Sequence, residues 1–145
     1  MHRLEALSSD IAAKWRHASE EKQRAASLLA TEHAIAKSGV KNPLVDQSLR
    51  QLRAGHLFSP QEKSQIDILA MQLDEQYFNL QEAAEFGEIP NVEYLKVFAK
   101  ARAVSALLFA GSGGSDATAD SIYEAAAAAG EDNSYLLSLV ESSLV

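Results

Sequence analysis

Five carboxylates between residues 67 and 85 are the first candidates for chemistry. Projected on a helix, Asp67, Asp74, Glu75, Glu82 and Glu85 share an arc of about a quarter of the circumference, and Met71 and Phe78 lie among them. An acidic arc on its own is usually a solvated face. One interleaved with a methionine and a phenylalanine reads as an interface, in which the acids steer a basic partner and the two apolar side chains supply contact. The plain alternative is that Met71 and Phe78 pack under another helix with the acids at the edge. A metal site is not expected. Di-iron bundles use Glu-x-x-His pairs, and none of His2, His17, His33 and His56 follows a glutamate at that spacing. Glu32 and His33 are adjacent, so their side chains diverge on a helix.

A second pair is Arg50 and His56, in RQLRAGH. The spacing fits the Arg-x(4–6)-His motif of helical HEPN ribonucleases, although it falls early in the chain. The motif is short enough for chance to supply it, and a surface arginine with a loop histidine is the plain reading. The run Gly111-Ser112-Gly113-Gly114-Ser115 has the glycine content of a phosphate loop, but no Gly-Lys-Ser/Thr follows and no strand precedes it. It reads as a flexible connector. No nucleophile elbow occurs. No cofactor motif is present, and the expectation is a binding protein rather than an enzyme. Arg102 falls on an apolar helix side with Leu95, Ala99 and Ala106. A guanidinium there needs a carboxylate, with Glu82, Asp74 and Glu124 as candidates, because an unpaired buried charge costs several kcal/mol. Otherwise it lines a pocket for an acidic ligand.

These residues need helices to hold them. Leu4, Leu7, Ile11, Trp15, Ala18, Lys22, Ala25 and Leu29 recur at three- and four-residue spacing, which predicts one long, bent helix over 3–37 that Gly39 stops. Asn42-Pro43 starts a short helix to 53, with Leu44, Val45, Leu49 and Leu52 inward, and Gly55 ends it. Ser59-Pro60-Gln61-Glu62 is a capping box for a helix to about 86, with Ile66, Leu69, Ala70, Leu73, Tyr77, Leu80 and Ala84 inward. Gly87 and Pro90 punctuate it, and Asn91 caps the next helix. That helix, 92–110, is apolar on nearly all sides apart from Glu93, Lys96 and Lys100, the mark of a central element. Asp116 or Thr118 caps a fifth helix to 129, whose alanine run permits close approach of a neighbour. Asp132 or Asn133 starts a sixth, with Leu136, Leu139, Val140 and Leu144 inward. No strand is evident. The fold class is all-α: one domain, 1–145, an antiparallel bundle or short stack of about six helices.

Composition bounds the function. At 145 residues and 47% hydrophobic, the chain can bury a core. It has no cysteine, which excludes disulfides and thiolate metal sites and fits a reducing compartment. The start, MHRLEALSSD, has no apolar signal core, and no apolar run approaches the roughly 20 residues of a membrane span. A cytoplasmic protein is expected. The net charge of −7 is concentrated: residues 59–88 carry one basic and seven acidic side chains, and residues 111–145 carry six acids and no base. No basic stripe is present for nucleic acid or an anionic membrane. Acidic blocks suit a cationic partner, or serve solubility alone.

Two stretches, RAASLLATEHAIAKSG and then VDQSLRQLRAGHLFS, resemble a pattern in all-helical immunity proteins of bacterial polymorphic toxin systems; AKARAVSALLFA and SIYEAAAAA resemble the alanine-dense helices that follow there. The resemblance covers about half of the chain and implies a stoichiometric inhibitor of a cognate toxin. It assigns no contact residue, since such surfaces vary with the partner. The expected function is therefore a protein-binding module, an immunity-type inhibitor acting through the acidic face. The alternatives are the Arg50/His56 ribonuclease and a structural oligomer, a homodimer paired along the first long helix.

Overall fold

In the computed structural model, which describes residues 3–88 and 91–145, every regular element is helical and there are eight helices among the described residues. The chain is all-α as expected, with eight elements rather than about six. The difference lies in the first segment. Instead of one helix over 3–37 there are three: α1 (Arg3–Leu7), α2 (Ser9–His17) and α3 (Glu20–Ser38). The cause is local. Ser8 and Ser19 both adopt extended backbone, and each hydroxyl accepts the N–H three residues on, from Ile11 and Lys22. Serine competes with helix continuation in this way and starts a new helix instead.

The breaks reset the phase of the apolar stripe. Leu4, Ile11 and Trp15 are buried as read, but beyond Ser19 the extrapolated positions Lys22, Ala25 and Leu29 face outward. The inward face of α3 is Ala26, Ser27, Ala30, Thr31, Ala34 and Ile35. It is made of small residues over most of its length, so neighbouring helices approach closely.

The remaining elements are α4 (Pro43–Arg53), α5 (Pro60–Glu85), α6 (Asn91–Ala110), α7 (Ser115–Ala129) and α8 (Ser134–Leu144). The Ser59–Glu62 capping box forms in both directions, and Asn42 caps α4 through Leu44 N–H. Gly39 takes the left-handed conformation that ends α3. Helix α6 spans Asn91–Ala110, and the expected Asn91 side-chain cap and Pro90 lie outside what is described. One expected start differs. Helix α7 begins at Ser115 with no side-chain cap; the Thr118 hydroxyl turns instead onto the carbonyls of Gly114 and Ser115.

Helix α6 is central, as its composition implied. It packs against α3, α4, α5 and α7, and Ala101, Ala103, Val104, Ala106 and Leu107 are wholly buried. Helices α5 and α6 run antiparallel: Lys63 reaches the Ser112 carbonyl, Asp74 meets Arg102, and Tyr77 packs on Tyr94 and Phe98. Helices α3 and α7 instead run parallel, since Gln23 meets Ser115, Ser27 meets Ser121 and Lys37 meets Asp132. The fold is thus not antiparallel throughout. Helix α8 closes α3 from the other side, and α1–α2 lie over α7 and α8 as an arm.

The turn after α6 is anchored at its first residue. Gly111 accepts the Phe58 N–H at 2.9 Å, and a Cβ on Gly111 would sit 2.2 Å from the Phe58 ring. Only glycine lets the ring lie flat against this backbone.

Candidate functional site: the outer face of α5

Helix α5 is the outermost long element, and α6 is its main neighbour. Only Ile66 and Ala70 on it are fully buried. Its inward side, with Leu69, Leu73, Tyr77 and Leu80, meets α6 as the spacing predicted. Tyr77 is the centre of an aromatic cluster, its ring 5.8 Å from Tyr94 and 5.3 Å from Phe98.

The opposite side is open. Met71 is 61% and Phe78 63% exposed, with Ile68 beside them at 51%. The alternative in which Met71 and Phe78 pack beneath another helix does not hold. Ile68 was not singled out by sequence reasoning, although it lies less than one turn before Met71. A shallow groove runs between Ile68, Met71, Asp74, Glu75 and Phe78.

The five carboxylates divide into two kinds. Asp67, Glu75, Glu82 and Glu85 are exposed, and none of them forms an ion pair with a described residue. Asp74 sits at the edge of the face and is already committed. Both of its oxygens accept from Arg102 Nη2, at 2.9 and 3.1 Å. The other arm of Arg102 donates to Glu124 at 3.0 Å. Two of the three carboxylates expected around Arg102 therefore hold it, and Glu82 does not. Arg102 is an internal ion pair rather than the lining of a ligand pocket.

Glu124 joins a second arginine. Arg3 Nη1 donates to Glu124 and Nη2 to Asp120, while its guanidinium lies 4.4 Å from the Tyr123 ring centre. Burial disfavours the Arg3 charge, but the hydrogen bonds to Asp120 and Glu124 outweigh it and raise its pKa above the ordinary arginine value. Charge thus connects α1, α5, α6 and α7, and fixes the helix that carries the open face.

The other candidates come to less. Arg50 and His56 are both exposed, and the cavity of about 140 Å³ that His56 helps to line is flanked by Arg24, Leu28, Leu52 and Leu57, not by Arg50. A wider cleft of about 570 Å³ beneath the N-terminal arm, beside Trp15, Gln23, Ser115 and Asp116, opens to solvent. Its most buried polar side chain, Gln23, is taken by the Trp15 carbonyl. No group of three or more potential metal ligands occurs among the described residues, and no described helix is long and apolar enough to cross a membrane. His17 is exposed, His33 stacks near Tyr135, and His2 lies outside the described residues. The continuous helix on which a two-fold pairing would rest is divided into three. Comparisons with family models, curated proteins and solved structures give no match.

Proposed function

We propose that this chain is a protein-binding module, an immunity-type inhibitor that covers a basic surface of a cognate bacterial toxin with the outer face of α5. The observation that carries the reading is the exposure of Met71 and Phe78 among four carboxylates that form no ion pair with a described residue. Apolar side chains of this size, open to water in a charged frame, are the composition of an interface before its partner arrives. The frame supplies long-range attraction to a cationic surface, and the apolar residues supply the contact that holds it. Helix α5 is held firmly at the rear by the aromatic cluster and the Asp74–Arg102 pair, so the face is preorganised. The reading places the protein with its toxin in the cytoplasm and requires no cofactor.

The test is reversal of charge at positions that do no internal work. Glu75→Lys, Glu82→Lys and Glu85→Lys together, with Asp74 left intact, should slow association with a cognate toxin domain, identified by capture on the parent chain, about tenfold or more at low salt, and flatten its salt dependence. Growth protection on co-expression should fall with it. Unchanged association and protection would overturn the reading.

A further inference from the structure

The exposed face of α5 has a periodicity that says what kind of surface it takes. Ile68, Met71, Glu75, Phe78, Glu82 and Glu85 follow one another at spacings of three, four, three, four and three. That is the a/d pattern by which one helix lies along another. All six lie on the side of α5 away from α6, and each is exposed. The row covers about 26 Å at 1.5 Å per residue, four to five turns. A core-facing stripe of this register would be apolar throughout. Here it runs apolar, apolar, acid, apolar, acid, acid.

We propose that this row is the docking seam for an amphipathic α-helix of another protein, one that sets apolar side chains against Ile68, Met71 and Phe78 and lysine or arginine against Glu75, Glu82 and Glu85. The proposal rests on the interface reading of α5 and adds to it the secondary structure and residue pattern of the partner segment. Two features of the row select this occupant. A second copy of the chain does not fit in either direction. Aligned parallel in register, Glu75, Glu82 and Glu85 each meet their own counterpart, and like charges directly opposed are destabilising. Aligned antiparallel about the middle of the row, Ile68 meets Glu85, Met71 meets Glu82 and Glu75 meets Phe78, so every apolar side chain opposes a carboxylate. A helix with basic residues at three of the six positions satisfies all of them at once. The gradient along the row also gives direction, since the apolar end lies towards the start of α5 and the acidic end towards its last turns. Those turns carry the negative end of the helix dipole, and no basic side chain is present there to offset it.

The experiment uses the full-length chain and two synthetic 21-residue helical peptides of identical composition. One carries Leu-Leu-Lys-Leu-Lys-Lys at the matching three/four spacing; the other carries the same residues with the spacing scrambled. Fluorescence anisotropy should show the matched peptide binding at least tenfold tighter. Amide shifts of the labelled chain should be confined to residues 67–86. Met71→Ser with Phe78→Ser should remove that preference without changing the melting temperature. Equal affinity for the two peptides, shifts elsewhere, or a concentration-dependent dimer weakened by the same variant would each overturn the helix-docking proposal. The interface reading is separated by the toxin itself. If toxin association is lost in the Met71/Phe78 variant while the peptides are not distinguished, only the helical partner is overturned; if toxin association survives in that variant, both are.

Discussion

Arg102 and Glu124 form an ion pair across the α6–α7 contact, at 3.0 Å, with the arginine side chain 22% and the glutamate 6% exposed. Removing one member of such a pair leaves the other without compensation, which costs about 3–5 kcal/mol. Arg102→Met should fall near the low end, about 3 kcal/mol, because Arg3 still reaches Glu124. Asp74 is more exposed, so Asp74→Ala should cost about 1 kcal/mol or less. Urea unfolding of the single variants, and of the Arg102→Met/Glu124→Gln double variant, checks the order and the coupling.

Met71 and Phe78 are both mostly exposed, and the one internal ring contact of Phe78 is with Tyr77, at 5.2 Å on the same helix. Met71→Asp and Phe78→Asp should therefore leave the stability of the isolated chain within about 0.5 kcal/mol of the parent. Burial beneath another helix would instead cost about 2–5 kcal/mol. Chemical denaturation separates the two outcomes without any partner being present.

Gly111 and Phe58 form a contact that leaves no room for a methyl group. Gly111→Ala should destabilise by about 1–3 kcal/mol, the usual cost of overpacking. The same change made in a Phe58→Leu background should cost less, since the flat ring is gone. Gly39→Ala is the control: nothing lies within 4 Å of its Cβ position, so only the left-handed backbone resists it, at roughly 1–2 kcal/mol.

Thr31 is fully buried in α3 and its hydroxyl has no hydrogen-bond partner among the described residues. A valine keeps the shape and removes the unsatisfied group. Thr31→Val should stabilise by about 1 kcal/mol, read as a rise in the denaturation midpoint with an unchanged slope. A fall in the midpoint would show that the hydroxyl has an acceptor.

Glu62 makes the start of α5 sensitive to pH. The Ser59 backbone N–H, and then the Ser59 hydroxyl, donate to its carboxylate and lower its pKa below the ordinary glutamate value. A pKa lower in the folded state adds stability above the unfolded-state value, and that stability is lost as pH falls through the folded value. The difference in melting temperature between the parent and Glu62→Ala should be full at pH 7 and shrink on acidification through the carboxylate range. Ser59→Ala, which removes the hydroxyl cap, should cost about 1 kcal/mol at neutral pH.

Sequence patterns revealed most where the cause of structure is local. The Ser59–Glu62 box, the Asn42-Pro43 start and the Gly39 stop involve neighbours in the chain, and all three are in place. The central position of α6 followed from its lack of a broad polar face. The division of the first segment was harder to see. Ser8 and Ser19 occur in a stretch whose apolar spacing continues through them by coincidence, so the stripe was carried onto the wrong side of α3. The parallel pairing of α3 and α7 leaves no mark in either helix, since small residues such as Ala26, Ala30 and Ala125 suit close approach in either direction. On α5 the carboxylates and their apolar neighbours could be read directly. That Asp74 turns to Arg102 while Glu75 stays open depends on where α6 lies, and no spacing within α5 encodes it.

The N-terminal arm has a consequence for how the protein is made. Its charged contacts, Arg3 with Glu124 and Lys14 with Glu141, span 121 and 127 residues of sequence. The inward face of α3 likewise waits for α6, α7 and α8. On the ribosome α1–α3 emerge before α6, α7 and α8, against which they pack, and long-range contacts of this kind form late. The hairpin of α5 and α6 can close early, whereas Trp15 and Ile11 stay uncovered until the last two helices have been synthesised. A nascent chain arrested before α7 is thus the species most exposed to chaperones and proteases, and premature termination in that region should lead to clearance rather than to a shortened, working protein.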